Sequence, residues 1–450
     1  MPHLTAMDKI RRFLINRDFA LLCGGQAVSI LGDWVFNLTL ILWVATRIAP
    51  NQPWAVSGVL LAASIPTLVI GPVAGVFVDR WDKRRTMLTM DALRAGLITA
   101  LILLSGSIPT ITESTVSAIR PLGEIYGIVA LCSTCGQFFG PARLALIGDI
   151  VAEPDRPRAS SLELTTAYLA LVVGPAISAP LFFGFGVQWA LAVNALSFLV
   201  SFLAVLAIQA PPAAGSPAKG QPSRFLGEFV AGLQFFKGNR ILRTILVSIV
   251  LAILGFGALD ALNIFFVTRN LHAPARFFSL TTTALGVGGI IGAVLAGLFA
   301  VRLGVVRTFW LSIVALGIIV LVYSRQTSFG PALVLVALLG IPNSAANVTL
   351  GPIMLHVTPR GFIGRVSGVL MPVISAASTI SIAAAGFLAG TVLHGLHTRL
   401  LGSTWGPVDS IFTGTGLLTV AGGWYAMINL RGITLNDDSA ALFIPAEGNT

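Results

Sequence analysis

Of the 450 residues, 55% are hydrophobic and only 10% are charged, against about 25% in an ordinary soluble domain. That composition excludes a soluble globular enzyme and calls for a lipid bilayer. The formal net charge of +10 does not imply a nucleic-acid partner, because the basic residues sit in short loops beside apolar segments, where they set topology and can meet anionic headgroups.

An α-helix rises about 1.5 Å per residue, so crossing about 30 Å of hydrocarbon takes about 20 apolar residues. Twelve segments qualify, at 19–45, 54–78, 86–106, 121–145, 161–183, 187–209, 243–267, 277–301, 306–324, 331–355, 366–393 and 410–430. The first is too long for a cleavable signal peptide. Six basic residues (Arg47, Arg120, Arg269, Arg276, Arg325 and Arg399) lie in loops of one side and Arg94 lies within segment 3. The other 21 of the 28 Lys and Arg, Lys9, Arg11, Arg12 and Arg17 among them, fall on the side of the N-terminus. The positive-inside rule then predicts both termini in the cytoplasm of a multi-pass protein of the cell (inner) membrane.

In segment 1, AVSILGDWVFNLTLILWV places Asp33 in an otherwise lipid-soluble run, and Gln26, Ser29, Asp33 and Asn37 are spaced three, four and four apart. They form one polar stripe on an apolar helix. An ionised Asp at a helix centre costs about 2.5–3.5 kcal/mol unless it faces a bundle interior or a water-filled cavity. After segment 2 comes GVFVDRWDKRRT, from Gly75. Asp79, beside Arg80 and near Lys83, Arg84 and Arg85, can accept charge-assisted hydrogen bonds or cap a neighbouring helix N-terminus as a state-dependent latch. The plainer reading is topological anchoring by the positive charges. In segment 3, Arg94 follows Asp91 by three residues near the inner end, which an intrahelical pair or snorkelling explains. Segment 4 carries Ser133 and Gln137, together with Cys132 and Cys135, whose C-x-x-C lacks the second ligand pair of a zinc site. Pro175 predicts a kink in segment 5.

Residues 210–223, APPAAGSPAKGQPS, cannot bury a core and read as a linker. The chain therefore divides into an N-terminal six-helix bundle (1–209), a cytoplasmic linker (210–240), a second six-helix bundle (241–432) and a flexible cytoplasmic tail (433–450). Within the linker region, Phe225, Leu226, Phe229, Val230, Leu233 and Phe236 share one face of an interfacial helix, or of the start of segment 7. Segment 7 carries Asp260 and Asn263, and segment 10 carries Asn343 and Asn347. In segment 8, Gly288, Gly292 and Ala296 permit close helix packing. His394 and His397 lack an acidic partner for a metal.

The halves repeat. GVFVDRWDKRRT from Gly75 and GLFAVRLGVVRT from Gly297 match at five positions: Gly75/Gly297, Phe77/Phe299, Arg80/Arg302, Arg85/Arg307 and Thr86/Thr308. Parallel repeats of this kind place a binding site between two halves near the midplane, with alternating access by rocking.

On these residues the chain resembles a major facilitator superfamily transporter along nearly its whole length. GVFVDRWDKRR is similar to the superfamily's Gly-x-x-x-Asp-Arg-x-Gly-Arg-Arg loop, with Asp82 where the signature has Gly. FFGPARLALIGDIV, the GDW of segment 1 and TPRGFIGRVSG resemble the branch of macrolide efflux pumps and the enterobactin exporter. The resemblance implies twelve transmembrane helices in two pseudo-symmetric bundles, an all-α polytopic fold, with segments 1, 4, 7 and 10 lining the cavity. The candidate proton and substrate cavity is then Asp33, Asn37, Gln26, Ser29, Gln137, Asp260, Asn263, Asn343 and Asn347, and the gating loop Gly75, Asp79, Arg80, Arg84 and Arg85.

A carboxyl whose surroundings alternate between wet and dry can take up and release a proton, and each proton crossing 100 mV supplies about 2.3 kcal/mol. The expected function is proton-coupled efflux of amphipathic small molecules such as drugs, macrolides or siderophores, by a monomer. The alternative is a flippase or scramblase of the same fold handling lysophospholipids, which an apolar lateral opening and a cavity-facing Arg94 would favour. No phosphate loop and no Ser-His-Asp arrangement is present, so neither an ATP-driven pump nor an enzyme is expected, and no cofactor or metal.

Overall fold

The computed structural model describes residues 15–50, 52–106, 115–209, 225–359, 362–396, 398–400 and 403–432. Lys9, Arg11, Arg12, the 210–223 linker, the 433–450 tail and His397 lie outside them, as do the side chains of Phe225, Leu226, Phe229 and Val230. The helices are α1 (Arg17–Trp43), α2 (Pro53–Val69), α3 (Gly71–Val78), α4 (Lys83–Ser105), α5 (Thr115–Ile150), α6 (Arg156–Phe185), α7 (Val187–Leu206) and α8 (Phe225–Gly238). They continue with α9 (Arg240–Phe265), α10 (Phe278–Leu303), α11 (Val305–Ser324), α12 (Phe329–Val357), α13 (Ile363–Phe387) and α14 (Pro407–Leu430).

Among the described residues, 11 helices are long and apolar enough to cross a membrane. The remaining expected segment, 54–78, is divided into α2 and α3. Pro72 has no N–H to donate and Pro66 interrupts the ladder of α2. Ile70 nevertheless keeps helical dihedrals, and its N–H donates to Pro66 O at 2.8 Å, so the two pieces continue as one interrupted span. The fold is all-helical in its spans. One addition was not expected: β1 (Thr398–Leu400) and β2 (Ser403–Trp405) form an antiparallel hairpin ahead of α14.

Contacts divide the chain into two units, residues 1–50 with 59–220, and 51–58 with 221–450. In the first, α1 packs on α6 and α7, α4 on α5 and α7, and α3 on α5. In the second, α9 packs on α13 and α14, α11 on α12 and α14, and α10 on α12. Taken segment by segment, these pairings coincide, so the repeat seen in the loops extends to the packing.

The caps and turns repeat too. Asn16 accepts from Phe19 N at 2.7 Å to start α1, and Asn239 accepts from Ile241 N and Leu242 N to start α9. Each satisfies donors that a helix N-terminus leaves orphaned. Val44–Ile48 after α1 and Phe266–Asn270 after α9 are π-helical turns, closed by Ala49 N to Val44 O at 2.9 Å and Leu271 N to Phe266 O at 3.0 Å. Each carries a Thr-Arg pair whose threonine donates back to the preceding turn, Thr46 to Leu42 O and Thr268 to Ile264 O. Outside the repeat, Gly186 (φ 95°) and Gly304 (φ 85°) make the reversals from α6 to α7 and from α10 to α11, a conformation that side-chain-bearing residues rarely adopt; at the offset of the repeat Asp82 stands where the second unit has Gly304.

Without water to drive apolar helices together, membrane bundles rely on close packing of small residues. Where α10 meets α12, a Cβ on Gly288 would coincide with Ala337 O, and one on Gly292 with Ile341 O. The packing role expected of these glycines is what the structure shows.

Candidate functional site

The first unit holds a half-open cavity of about 350 Å³ lined from α1, α2, α4, α5 and α7. That lies at the lower end of the roughly 300–1,000 Å³ typical of small-molecule sites. Gln26, Ser29, Asp33 and Asn37 all line it, as a stripe at helical spacing must if one member does. Asp33 is half-buried and makes no side-chain hydrogen bond or ion pair among the described residues. Phe36, one turn further along α1, lines the same wall.

From α5 come Cys132, Ser133 and Gln137. Ser133 Oγ donates to Ala63 O at 2.6 Å and Gln137 Nε2 to Thr67 Oγ1 at 3.0 Å, so both also tie α5 to α2. Cys132 and Cys135 are buried free thiols, and no cluster of three or more metal-binding side chains occurs among the described residues.

The wall opposite α1 holds a feature the sequence reading underweighted. Arg94 is the twelfth of 23 residues of α4, about 16 Å from its start at 1.5 Å per residue, and so lies mid-helix rather than near the inner end. It lines the cavity yet is only 7% exposed. Its Nη2 donates to Asp91 Oδ1 at 2.6 Å, and its guanidinium carbon lies 4.5 Å from the Phe139 ring centroid and 4.3 Å from that of Phe198. Asp91 is fully buried and accepts from Ser201 Oγ at 2.6 Å, which accepts from Gln26 Nε2 at 2.9 Å. The expected intrahelical pair is present, and it is the centre of a polar chain running from α1 through α7 to α4. A buried ion pair persists only with such further hydrogen bonds. Among the described residues, two donors of this wall are enclosed without a partner, Arg94 Nε and Asn194 Nδ2.

At another edge of the cavity Arg143 pairs with Glu163 of α6 at 3.2 Å, with both side chains mostly covered. A second small void, lined by Cys23, Gln26, Arg143, Glu163 and Thr166, adjoins it. Arg143, Glu163 and Asn194 were not singled out in the sequence. Arg143 lies near the end of segment 4, two residues inside its limit, and α5 continues past it to Ile150.

Asp260, Asn263, Asn343 and Asn347 do not line this cavity and belong to the second unit. Asp260 is exposed. Asn263 donates to Thr281 Oγ1 at 3.0 Å and accepts from Tyr323 Oη at 2.5 Å, joining α9 to α10 and α11. Asn347 is exposed and donates to Asn343 O at 2.9 Å. At the offset of the repeat, Gly255 stands where the first unit has Asp33, so the acid is not duplicated.

In the loop after α3, Asp79 and Arg80 are exposed, and Asp79 makes no side-chain hydrogen bond or ion pair among the described residues. A Cβ on Gly75 would meet nothing. Arg84 caps the end of α7, donating to Val205 O at 3.2 Å and Leu206 O at 2.6 Å. Asp82 is the N-cap of α4 and accepts from Arg85 N at 2.7 Å, which gives the departure from the signature glycine a local purpose.

Comparison with known proteins places the chain. The profile of a family described as transmembrane secretion effector matches residues 13–413. The chain is 24% identical over 416 residues, 90% of each protein, to the uncharacterized MFS-type transporter YkuC of Bacillus subtilis. It is 29% identical to the putative bacilysin exporter BacE of Bacillus subtilis, over 60% of this chain and 64% of that protein. To macrolide efflux protein A of Streptococcus pyogenes it is 22% identical, over 65% and 69%. A crystal structure of a bacterial homologue of the iron transporter ferroportin, in an inward-facing state, superposes with a TM-score of 0.69 at 14% identity, covering 91% of this chain and 96% of that one, a likeness of fold. The chain belongs to the transmembrane secretion effector family of major facilitator transporters, and is a multi-pass membrane transporter of small molecules rather than an enzyme.

Proposed function

We propose that the chain exports amphipathic small molecules of the drug, macrolide or siderophore type from the cytoplasm in exchange for protons, by alternating access between bundles 1–209 and 241–432. The observation that carries this reading is Asp33, a carboxylate with no hydrogen bond or ion pair among the described residues, on a cavity wall that also carries Gln26, Ser29 and Asn37. A group that neither pairs nor caps is costly in a membrane unless it has work to do there. The names of relatives, an exporter of bacilysin and an efflux protein for macrolides, support export as the direction. Asp33 is assigned the proton, with Gln26, Ser29, Asn37 and Gln137 lining the path, and Asp260, Asn263, Asn343 and Asn347 contributing from the second bundle. Gly75, Asp79, Arg80, Arg84 and Arg85 form the gating loop, with Asp79 free to latch in another state of the cycle. The protein acts as a monomer in the cell membrane, with both termini cytoplasmic.

Transport into proteoliposomes under an imposed pH gradient tests this. Asp33→Asn is expected to abolish uphill accumulation, by at least tenfold, while downhill exchange persists. Full gradient-driven transport by this variant sinks the assignment. One observation favours a second reading, a lysophospholipid flippase: Arg94 lines the cavity, as a phosphate-binding group would. Its pairing with Asp91 weighs against it. Lysolipid movement that ignores the gradient would establish that reading in place of the first.

A further inference from the structure

We propose that protons leave the cavity of the first unit for the cytoplasm through the small void between α1, α5 and α6, with Glu163 as the carboxylate that passes them on. This rests on the proton-exchange reading above and adds a route to it. Asp33 is the seventeenth residue of α1 and Gln26 the tenth, so about 10 Å of helix at 1.5 Å per residue separates them. Both line the main cavity, while Gln26, Ile30 and Arg143 line the second void as well. The two spaces therefore share a wall, in which Gln26 is held by its bond to Ser201 Oγ. The second void measures about 10 Å³, room for a single water molecule, which persists where two to four polar groups can hold it. Cys23, Gln26, Arg143, Glu163 and Thr166 offer such groups.

The void lies among the first turns of α1, the last turns of α5 and the first turns of α6. These three ends are on the side that the positive-inside rule assigns to the cytoplasm, and Asn16 Nδ2 closes α1 against α5 by donating to Ile150 O at 2.7 Å. Glu163 is the eighth residue of α6, about 10 Å from its start, and its side chain is mostly covered. Facing it are Arg143 of α5, at 3.2 Å, and across the void Cys23 of α1, whose sulfur lies 3.7 Å from Thr166 Oγ1. Other charges at these ends are engaged elsewhere, Lys83 with Asp149 at 3.8 Å and Arg156 with Gly148 O at 3.1 Å. A carboxylate exchanges protons with a group in hydrogen-bond reach or across one water, and Glu163 is the carboxylate that borders this void. Each transfer balances. A proton leaves the Asp33 carboxyl for cavity water, the water of the void accepts one proton and donates another, and the Glu163 carboxylate takes it up as its bond to Arg143 gives way. Release to cytoplasmic water restores the ion pair.

Proteoliposomes holding the full chain, with the pH-sensitive dye pyranine inside, read proton movement when erythromycin or ethidium is supplied. Glu163→Gln is expected to slow that movement at least tenfold, and Glu163→Asp to keep at least a third of the wild-type rate. Arg143→Gln separates a proton carrier from a mere tie between helices: it leaves the carboxylate in place and is expected to slow proton movement less than threefold. Thr166→Val, which removes a polar group from the void at constant volume, is expected to slow it at least threefold. Wild-type proton movement by Glu163→Gln overturns the proposal, and so does equal loss in Glu163→Gln and Arg143→Gln. Should Glu163→Gln fail to fold, Thr166→Val decides, and a wild-type rate in that variant overturns the route. Absence of proton movement by the wild type with either compound sinks the proton-exchange reading and the route together. Proton movement that needs Asp33 and ignores Glu163 sinks the route alone.

Discussion

Arg94 is the side chain whose surroundings say most about the cost of polarity in this bundle. Its charge is buried, and Asp91, Phe139 and Phe198 are arranged around it. Removing one member of a buried pair leaves the other unanswered, at about 3–5 kcal/mol, whereas replacing both with apolar groups of similar volume is often close to neutral. Asp91→Asn is therefore expected to lower stability by about 3–5 kcal/mol, and Asp91→Leu with Arg94→Met to recover most of that loss, as read from thermal unfolding in detergent. A double variant as unstable as Asp91→Asn would mean the pair is not the source. The i to i+3 spacing of Asp91 and Arg94 was legible in the sequence. What could not be read was the depth, since the start of α4 is set by Asp82 as its cap and not by the first apolar residue. Arg143 was legible as part of segment 4, but its partner was not: Glu163 comes from the next helix, and nothing in the spacing pairs the two.

The spans themselves were legible because a bilayer permits few alternatives: backbone groups must be satisfied within each segment, so long apolar runs are helices. The polar stripe of α1 was legible for the same reason, since four polar residues at helical spacing had to share one sheltered face. The division of α2 from α3 at Ile70 and the three-residue strands of the hairpin were not, because neither leaves a hydropathy signal. Helix contacts were partly legible through glycine. Between α10 and α12 the backbones come so close that any side chain at Gly288 would occupy the place of a carbonyl oxygen. Overpacking typically costs about 1–3 kcal/mol, and with rigid backbone as the obstacle Gly288→Leu is expected to reach the top of that range. The measurement is the fraction of monodisperse protein after extraction together with its melting temperature. Wild-type behaviour would show that α10 and α12 have more freedom than their separation allows.

At the scale of the whole molecule, the two units share their helix pairings, their asparagine caps and their π-helical turns, yet the acid at the position of Asp33 is present in only one of them. Gly255 occupies the place that Asp33 has in the other. Topology is the remaining expectation at this scale. With 21 of 28 basic residues on the N-terminal side, reporters fused after residue 450 and before residue 1 are expected to be active only as cytoplasmic enzymes, and one placed in the 106–115 loop only as an exported enzyme. The opposite pattern would invert the direction assigned to transport.

The wide turns at Val44–Ile48 and Phe266–Asn270 close equivalent spans of the two halves. Each holds one amino acid more than a regular coil would accommodate, and the surplus falls 222 positions apart, the spacing that also separates Gly75 from Gly297. Each first span of a half thus ends on the same widened turn, which swings its Thr-Arg pair out of the regular register, so the two halves close their leading helices alike while only α1 carries an acid at the matching position.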